Sequence, residues 1–384
     1  MSMMKKTFPY YCICTLLFIG MLHPLFAQKK RDKKAVWAEI SPYFQAPASY
    51  ENQFGDYKSV LIDEEGNEIQ SKSAWLKQRE KIKAKWMDQM GQWPAFLEDQ
   101  KLQFLDTTVR EGYTEYVVAF DWLPNRETKG YLLVPHTKGK KAAVLTVFYE
   151  PETAIGRGKA ERDFALQLCK QGFVTLSIGT TETTNNKTYS LYYPSIDNAQ
   201  IQPLSALAYA AANAWYVLAN YKEVDSKRIG IMGHSYGGKW AMFGSCLFDK
   251  FACAVWSDPG IVFDETKGSG VNYWEPWYLG YYPPPWQNAW RQTGMIDGAK
   301  GLYPKLMTSK QDLHELHALM APRPFLVSGG SSDPIERWIP LNHTIKLNKL
   351  LGYENRVAMT NRPEHSPNAE SNRQANLFFE YFLK

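Results

Sequence analysis

The chain has 384 residues, 45% of them hydrophobic, with 44 Lys and Arg against 39 Asp and Glu and a formal charge of +5. That is enough apolar material for a buried core in one large domain or two ordinary ones. The basic residues are scattered, and their densest run, KKRDKK at Lys29–Lys34, sits beside the N-terminus, which argues against a nucleic-acid binder.

Residues 1–27 have the layout of a targeting segment. MSMMKK is a charged start, YYCICTLLFIGMLHPLF an apolar centre, and PLFA ends in a small residue before Gln28. The apolar run is short for a bilayer span and is broken by His23 and Pro24, so we expect a cleaved signal peptide, an exported protein (periplasmic or secreted) and no stable membrane span afterwards. Losing Lys5 and Lys6 leaves a charge of about +3. Of the five cysteines, Cys169, Cys246 and Cys253 then remain. They are too few for a disulfide framework and lack metal-site spacing with histidine, so they read as small core residues with at most one bridge; the serine chemistry read below needs neither a metal nor an organic cofactor.

Residues 28–100 read as an N-terminal extension packed on the main domain. The segment is irregular at first, then SAWLKQREKIKAKWMDQM sets Trp75, Leu76, Ile82, Trp86 and Met90 at helical intervals. From Lys101 the pattern turns to strands: KLQFLDTTVRE, YTEYVVAFDWL and GYLLVP. Strands and helices then alternate: AAVLTVFY, ERDFALQLCKQG, FVTLSI, ALAYAAANAWYVLANY, RIGIM, KWAMFGSCLF and FACAVWS. An aromatic-rich insertion follows, then PFLVSGG, TIKLNKLLG, RVAMT and NRQANLFFEYFL. Such alternation predicts an α/β fold over residues 101–384, a mostly parallel central sheet with helices on both faces, led by an antiparallel strand group.

Gly233-His234-Ser235-Tyr236-Gly237 directly follows the apolar strand IGIM and precedes a helical run. This is the strand–turn–helix setting in which a G-x-S-x-G serine becomes a nucleophile at a tight turn. A serine hydroxyl needs a base, and of the six histidines beyond residue 27 only His365 lies in a loop after the last strand, in TNRPEHSPNAES. His136 ends an early strand, His314 and His317 share a short helical segment, His343 opens a helix and His234 adjoins the serine; these read as structural. The orienting carboxylate is expected at Asp333, in VSGGSSDPIE, with Asp258 of AVWSDPG as the alternative. An oxyanion hole needs two backbone N–H groups, one from Tyr236 and the other from Tyr149 or Glu150 in FYEPET.

Over about residues 101–384 the chain resembles the α/β-hydrolase superfamily, and within it carbohydrate esterases of the glucuronoyl esterase type and their pectin methylesterase-like relatives. GHSYGGK, AVWSDPG, NYWEPWYLG and LHELHALMAPRPFLVSGGSSDP carry the likeness. It implies that Lys239 binds hydroxyls of a uronic acid and that Trp274 or Trp277 packs on the sugar ring. Glucuronoyl esterases usually have arginine directly after the serine, where this chain has Tyr236, and both family positions for the acid hold an aspartate here. The implied activity is an exported serine esterase on a polysaccharide or oligosaccharide ester, most specifically a uronic-acid ester such as the methyl ester of pectin. A polysaccharide deacetylase, a serine peptidase of the prolyl oligopeptidase-like class and a carbohydrate-binding module with a degenerate hydrolase fold are the rivals.

Overall fold

The computed structural model describes residues 31–180, 191–195, 198–264, 279 and 302–384. The expected signal peptide lies outside them. Among the described residues nine strands form one sheet: β1 (Gln103–Arg110), β2 (Tyr113–Leu123), β3 (Arg126–Pro135), β4 (Lys141–Phe148), β5 (Val174–Gly179), β6 (Val224–His234), β7 (Cys253–Ser257), β8 (Phe325–Gly329) and β9 (Val357–Asn361). Their order is β1-β2-β3-β5-β4-β6-β7-β8-β9. The first three pair antiparallel with one another, and β3 joins β5 antiparallel. From β5 to β9 every pairing is parallel.

The parallel strands are covered on both faces, which is why they are apolar almost throughout. Alternate side chains divide between two cores, as a period of two requires. Ala143, Leu145 and Val147 of β4, Ile229 and Ile231 of β6, Trp256 of β7 and Val327 of β8 enter the larger core. Val144, Met232, Val255, Leu326 and Ala358 enter the other.

The helices are α1 (Lys33–Ile40), α2 (Lys72–Met90), α3 (Phe164–Lys170), α4 (Pro203–Ala219), α5 (Tyr236–Leu247), α6 (Leu302–Thr308), α7 (His314–Ala318), α8 (Trp338–Leu350) and α9 (Ala369–Leu383). Helices α4 and α5 supply the larger core. Phe378, Phe379 and Leu383 of α9 and Phe164 and Leu168 of α3 supply the opposite one. Asn368 starts α9 with a capping box, accepting from Ser371 N at 2.9 Å while the Ser371 hydroxyl accepts from Asn368 N at 3.0 Å.

Three local differences from the sequence reading have simple causes. Helix α1, capped by Asp32, falls where an irregular segment was expected; its eight residues bury only Val36 and Ile40, too few to register as a period. Helix α8 begins at Trp338, so His343 lies inside it rather than at its start, with Pro340 accommodated in the first turn. Trp75, Ile82, Trp86 and Met90 of α2 are buried in the larger core, but Leu76 is 52% exposed and does not belong to that face.

Asp32–Lys384 forms one compact unit. Within it the Trp86 indole donates to Glu315 Oε2 at 3.2 Å, and Arg79 pairs with Asp249 and donates to the Leu319 carbonyl. Truncating Trp86 to Ala should therefore cost about 3–5 kcal/mol, read as a lowered urea midpoint at unchanged slope. An unchanged midpoint would mean that α2 is not integral to the core.

Candidate active site

The centre of the site is the turn between β6 and α5. Ser235 holds φ 57° and ψ −115°, outside the ordinary regions for a residue with a side chain. Two close approaches explain the flanking glycines. A Cβ on Gly233 would lie 2.1 Å from the Gly237 carbonyl oxygen, and one on Gly237 would lie 2.0 Å from the Val147 carbonyl oxygen of β4. Ser235 N donates to the Ser257 carbonyl at 2.8 Å, and the Ser235 carbonyl accepts from Lys239 N at 3.0 Å as α5 begins. The strained turn is thus fixed from β4, β7 and its own helix.

The turn delivers the serine hydroxyl to His365. The loop after β9 sets the His365 Nε2 atom 2.8 Å from Ser235 Oγ, and Nδ1 2.6 Å from Asp258 Oδ2. These partners assign the tautomer: Nδ1–H donates to the carboxylate, and Nε2 accepts from the hydroxyl. The His365 side chain is 38% exposed, whereas Asp258 is fully buried. An imidazole held this way can take the serine proton while the carboxylate stabilises the resulting imidazolium.

Asp333, the expected partner of His365, does not contact it, and Asp258 does. The reason lies in the two loops. Asp258 adopts a left-handed conformation (φ 49°) that an aspartate tolerates, its N–H donating to the Ser328 carbonyl at 3.0 Å. Its Oδ1 accepts from Gly330 N (2.7 Å) and Asp333 N (2.8 Å), and its Oδ2 from Ser332 N (3.2 Å) and the imidazole. Asp333 faces the opposite way: Oδ2 accepts from Gly260 N at 2.7 Å and Oδ1 from Ile261 N at 2.6 Å, with Arg337 Nε 3.7 Å away. Burial, then the charge of Asp258, pushes the Asp333 carboxyl up to about 6, against the pull of Arg337 and the two N–H groups.

One organising residue escaped sequence reasoning. Arg362 is buried, and its guanidinium donates to the carbonyls of Ser328, Gly329, His365 and Ser366 and to the hydroxyls of Ser257 and Ser328. It ties the His365 loop to the ends of β7 and β8. An arginine three positions before the candidate base was the available signal, but its burial was not visible in a polar loop.

The other sequence candidates fall as follows. Tyr236 and Tyr149 come together, their rings stacked at 4.5 Å, so the end of β4 lies beside the turn; Glu150 is next in the chain. Lys239 is only 4% exposed, and its Nζ donates to the Pro259 carbonyl at 2.5 Å. Burial pulls its ammonium down to about 8, with Asp333 and Asp258 opposing. It therefore sits beneath the acid loop. Trp274 and Trp277 lie outside the described residues. His234 is buried with Nδ1 3.1 Å from the Ser257 hydroxyl, and burial, then the neighbouring His365, holds its pKa well below the usual imidazole range.

The remaining histidines serve elsewhere: His136 meets the Thr114 hydroxyl, His314 and His343 meet the carbonyls of Lys58 and Phe54, and His317 packs on Trp256. Cys169, Cys246 and Cys253 are buried and free. Among the described residues no group of three His, Cys, Asp or Glu side chains is placed to hold a metal ion.

Gly237→Ala should cost about 1–3 kcal/mol by overpacking against Val147 and should slow labelling of Ser235 by a fluorophosphonate. Wild-type stability and labelling together would mean that the close approach to β4 is not needed.

Comparison with known proteins bears on the fold. The model of the prolyl oligopeptidase family (Peptidase_S9) matches residues 210–359, a stretch that holds Ser235, Asp258 and Asp333 but stops before His365. No curated protein matches the chain in sequence. Among solved structures the chain is similar to a glucuronoyl esterase from Solibacter usitatus, with 15% identity, a TM-score of 0.65, and coverage of 88% of this chain and 98% of that one. A protein named as an acetyl xylan esterase of Bacteroides fragilis gives 16%, 0.55, and 85% and 86%. A methylesterase gives 16%, 0.55, and 92% and 79%. With the sheet order and the serine turn, these likenesses establish that the chain has the α/β-hydrolase fold.

Proposed function

We propose that the chain is an exported serine esterase acting on a carbohydrate ester. The observation that carries the reading is the continuous set of contacts from Ser235 Oγ through His365 to the buried Asp258 carboxylate. In the proposed reaction the Ser235 oxygen attacks the ester carbonyl while His365 Nε2 takes its proton. The tetrahedral oxyanion is held by the Tyr236 N–H and by that of Tyr149 or Glu150. His365 returns the proton to the leaving alcohol, and a water deprotonated by the same nitrogen frees the acyl group and restores the serine. Asp258, in place of Asp333, orients the imidazole throughout.

Carbohydrate as the substrate class is supported by the proteins named as a glucuronoyl esterase and an acetyl xylan esterase, which share the fold over most of both chains. We take a uronic-acid ester such as the methyl ester of pectin as the first substrate, with Trp274 and Trp277 as ring-packing candidates; the sugar contact implied for Lys239 by the resemblance is dropped, because that ammonium is buried against the Pro259 carbonyl. An acetyl ester is the second reading, favoured by the likeness to the protein named as an acetyl xylan esterase. Export rests on the signal-like residues 1–27. No described helix is long and apolar enough to cross a membrane.

Incubation with methyl-esterified pectin, acetylated xylan, a glucuronate benzyl ester and a peptide amide, with titration of released acid or amine, tests the reading. Activity is expected on an ester of a sugar, abolished by Ser235→Ala with a loss of about 10^6-fold in kcat. Turnover of the amide alone would replace the esterase with a peptidase. Inertness on every substrate, with Ser235 unreactive to a fluorophosphonate, would leave a binding module.

A further inference from the structure

The two aspartates that compete for one role in the sequence hold each other's loops in the fold. The Asp258 carboxylate, at the end of β7, accepts the N–H groups of Gly330, Ser332 and Asp333, all in the loop after β8. The Asp333 carboxylate, in that loop, accepts the N–H groups of Gly260 and Ile261, two and three residues past Asp258. Both side chains are fully buried. Each loop therefore carries the donors that the other loop's carboxylate needs, and neither carboxylate can turn without stranding buried N–H groups.

Only one of the two has an imidazole. Asp258 keeps one carboxylate edge for His365 because its left-handed backbone aims it there, and a residue held at φ 49° needs its surroundings to keep it so. Pro259 follows directly, and its carbonyl takes the Lys239 ammonium. Gly260 (φ 77°) and Ile261 then take the Asp333 carboxylate. The turn bearing Asp258 is thus gripped from below by Lys239 and from the side by Asp333.

We propose that Asp333 is a positioning residue that acts through Asp258: by holding the Gly260 and Ile261 amides it fixes the Asp258 turn, and so keeps the Asp258 carboxylate on His365 Nδ1. For its catalytic consequence the proposal rests on the serine hydrolase reading. An amide in place of the Asp333 carboxylate turns one acceptor into a donor facing an N–H, so the turn loses at least one of its two holds. Asp258 then drifts from the imidazole.

The test uses the wild type, Asp333→Asn, Asp258→Asn and the double variant, with two readouts. One is the far-downfield proton resonance of the His365 Nδ1–H···Asp258 hydrogen bond, which does not need activity. The other is the rate constant for fluorophosphonate labelling of Ser235. Asp333→Asn should broaden or remove the resonance and slow labelling about 10²-fold, the scale of a small misplacement. Asp258→Asn should slow it about 10⁴-fold. The double variant should match Asp258→Asn alone, because a residue acting through Asp258 has nothing further to lose.

A folded Asp333→Asn protein with the wild-type resonance would overturn the proposal, and so would losses that multiply in the double variant. A wild type that shows the resonance but is not labelled would fault the hydrolase reading, while the resonance in Asp333→Asn still decides the positioning. Should Asp333→Asn fail to fold, hydrogen exchange in the wild type decides instead. The Gly260 and Ile261 amides should exchange only on global unfolding, and exchange at the rate of an open loop would contradict the proposal.

Discussion

A carboxylate with no exposed surface must find hydrogen-bond donors for both of its oxygens, and the fold meets that demand at Asp258 with three backbone N–H groups and one imidazole. The backbone donors all come from one short loop, so the carboxylate orients that loop as much as the loop orients it. Its remaining contact is with the one histidine that also reaches Ser235. Were Asp258 exposed, water could compete for each of these donors, and the imidazole would lose its fixed tautomer.

The rest of the architecture can be understood as what brings these loops together. Strands β4, β6, β7, β8 and β9 are consecutive in the sheet and parallel, so their carboxyl ends lie along one edge. That edge receives Tyr149 after β4, Ser235 after β6, Asp258 after β7, Asp333 after β8 and His365 after β9. Groups scattered over more than two hundred residues of chain become neighbours because each stands at the same end of its strand. The edge of a parallel sheet is where such folds carry their ligands. Arg362 braces the outermost of these loops against β7 and β8, and Lys239 fills the space beneath the acid turn. Both cations are buried close to two buried carboxylates, which keeps the local charge in balance.

The fold was legible because its signals are repetitive: apolar strands alternating with helical runs, and a glycine-flanked serine after a strand. The serine and histidine could be named for the same reason, since each follows a strand in a loop with the right chemistry. The choice between the aspartates could not be made that way. Asp258 and Asp333 each follow a buried strand and each precede a proline, so local sequence treats them alike. They differ in direction, set by a left-handed residue at Asp258 and by which loop offers its amides to which carboxylate. Those are tertiary facts, decided by backbone donors that every residue has. Arg362 and the depth of Lys239 escaped for a related cause, since a cation in a polar segment gives no sign that it will be buried. Helix α1 was too short to show a period, and Leu76 fits the α2 spacing but falls outside the face that the core accepts.

In the proposed reaction Ser235 attacks an ester carbonyl and carries the acyl group. The most direct measurement of this step is a rapid quench of the protein with an activated aryl ester, followed by mass spectrometry of the intact chain and of its peptides. One acyl group per chain is expected, located on Ser235 in the peptide containing GHSYGG, with faster formation than decay. No acyl adduct, or one on another residue, would contradict it.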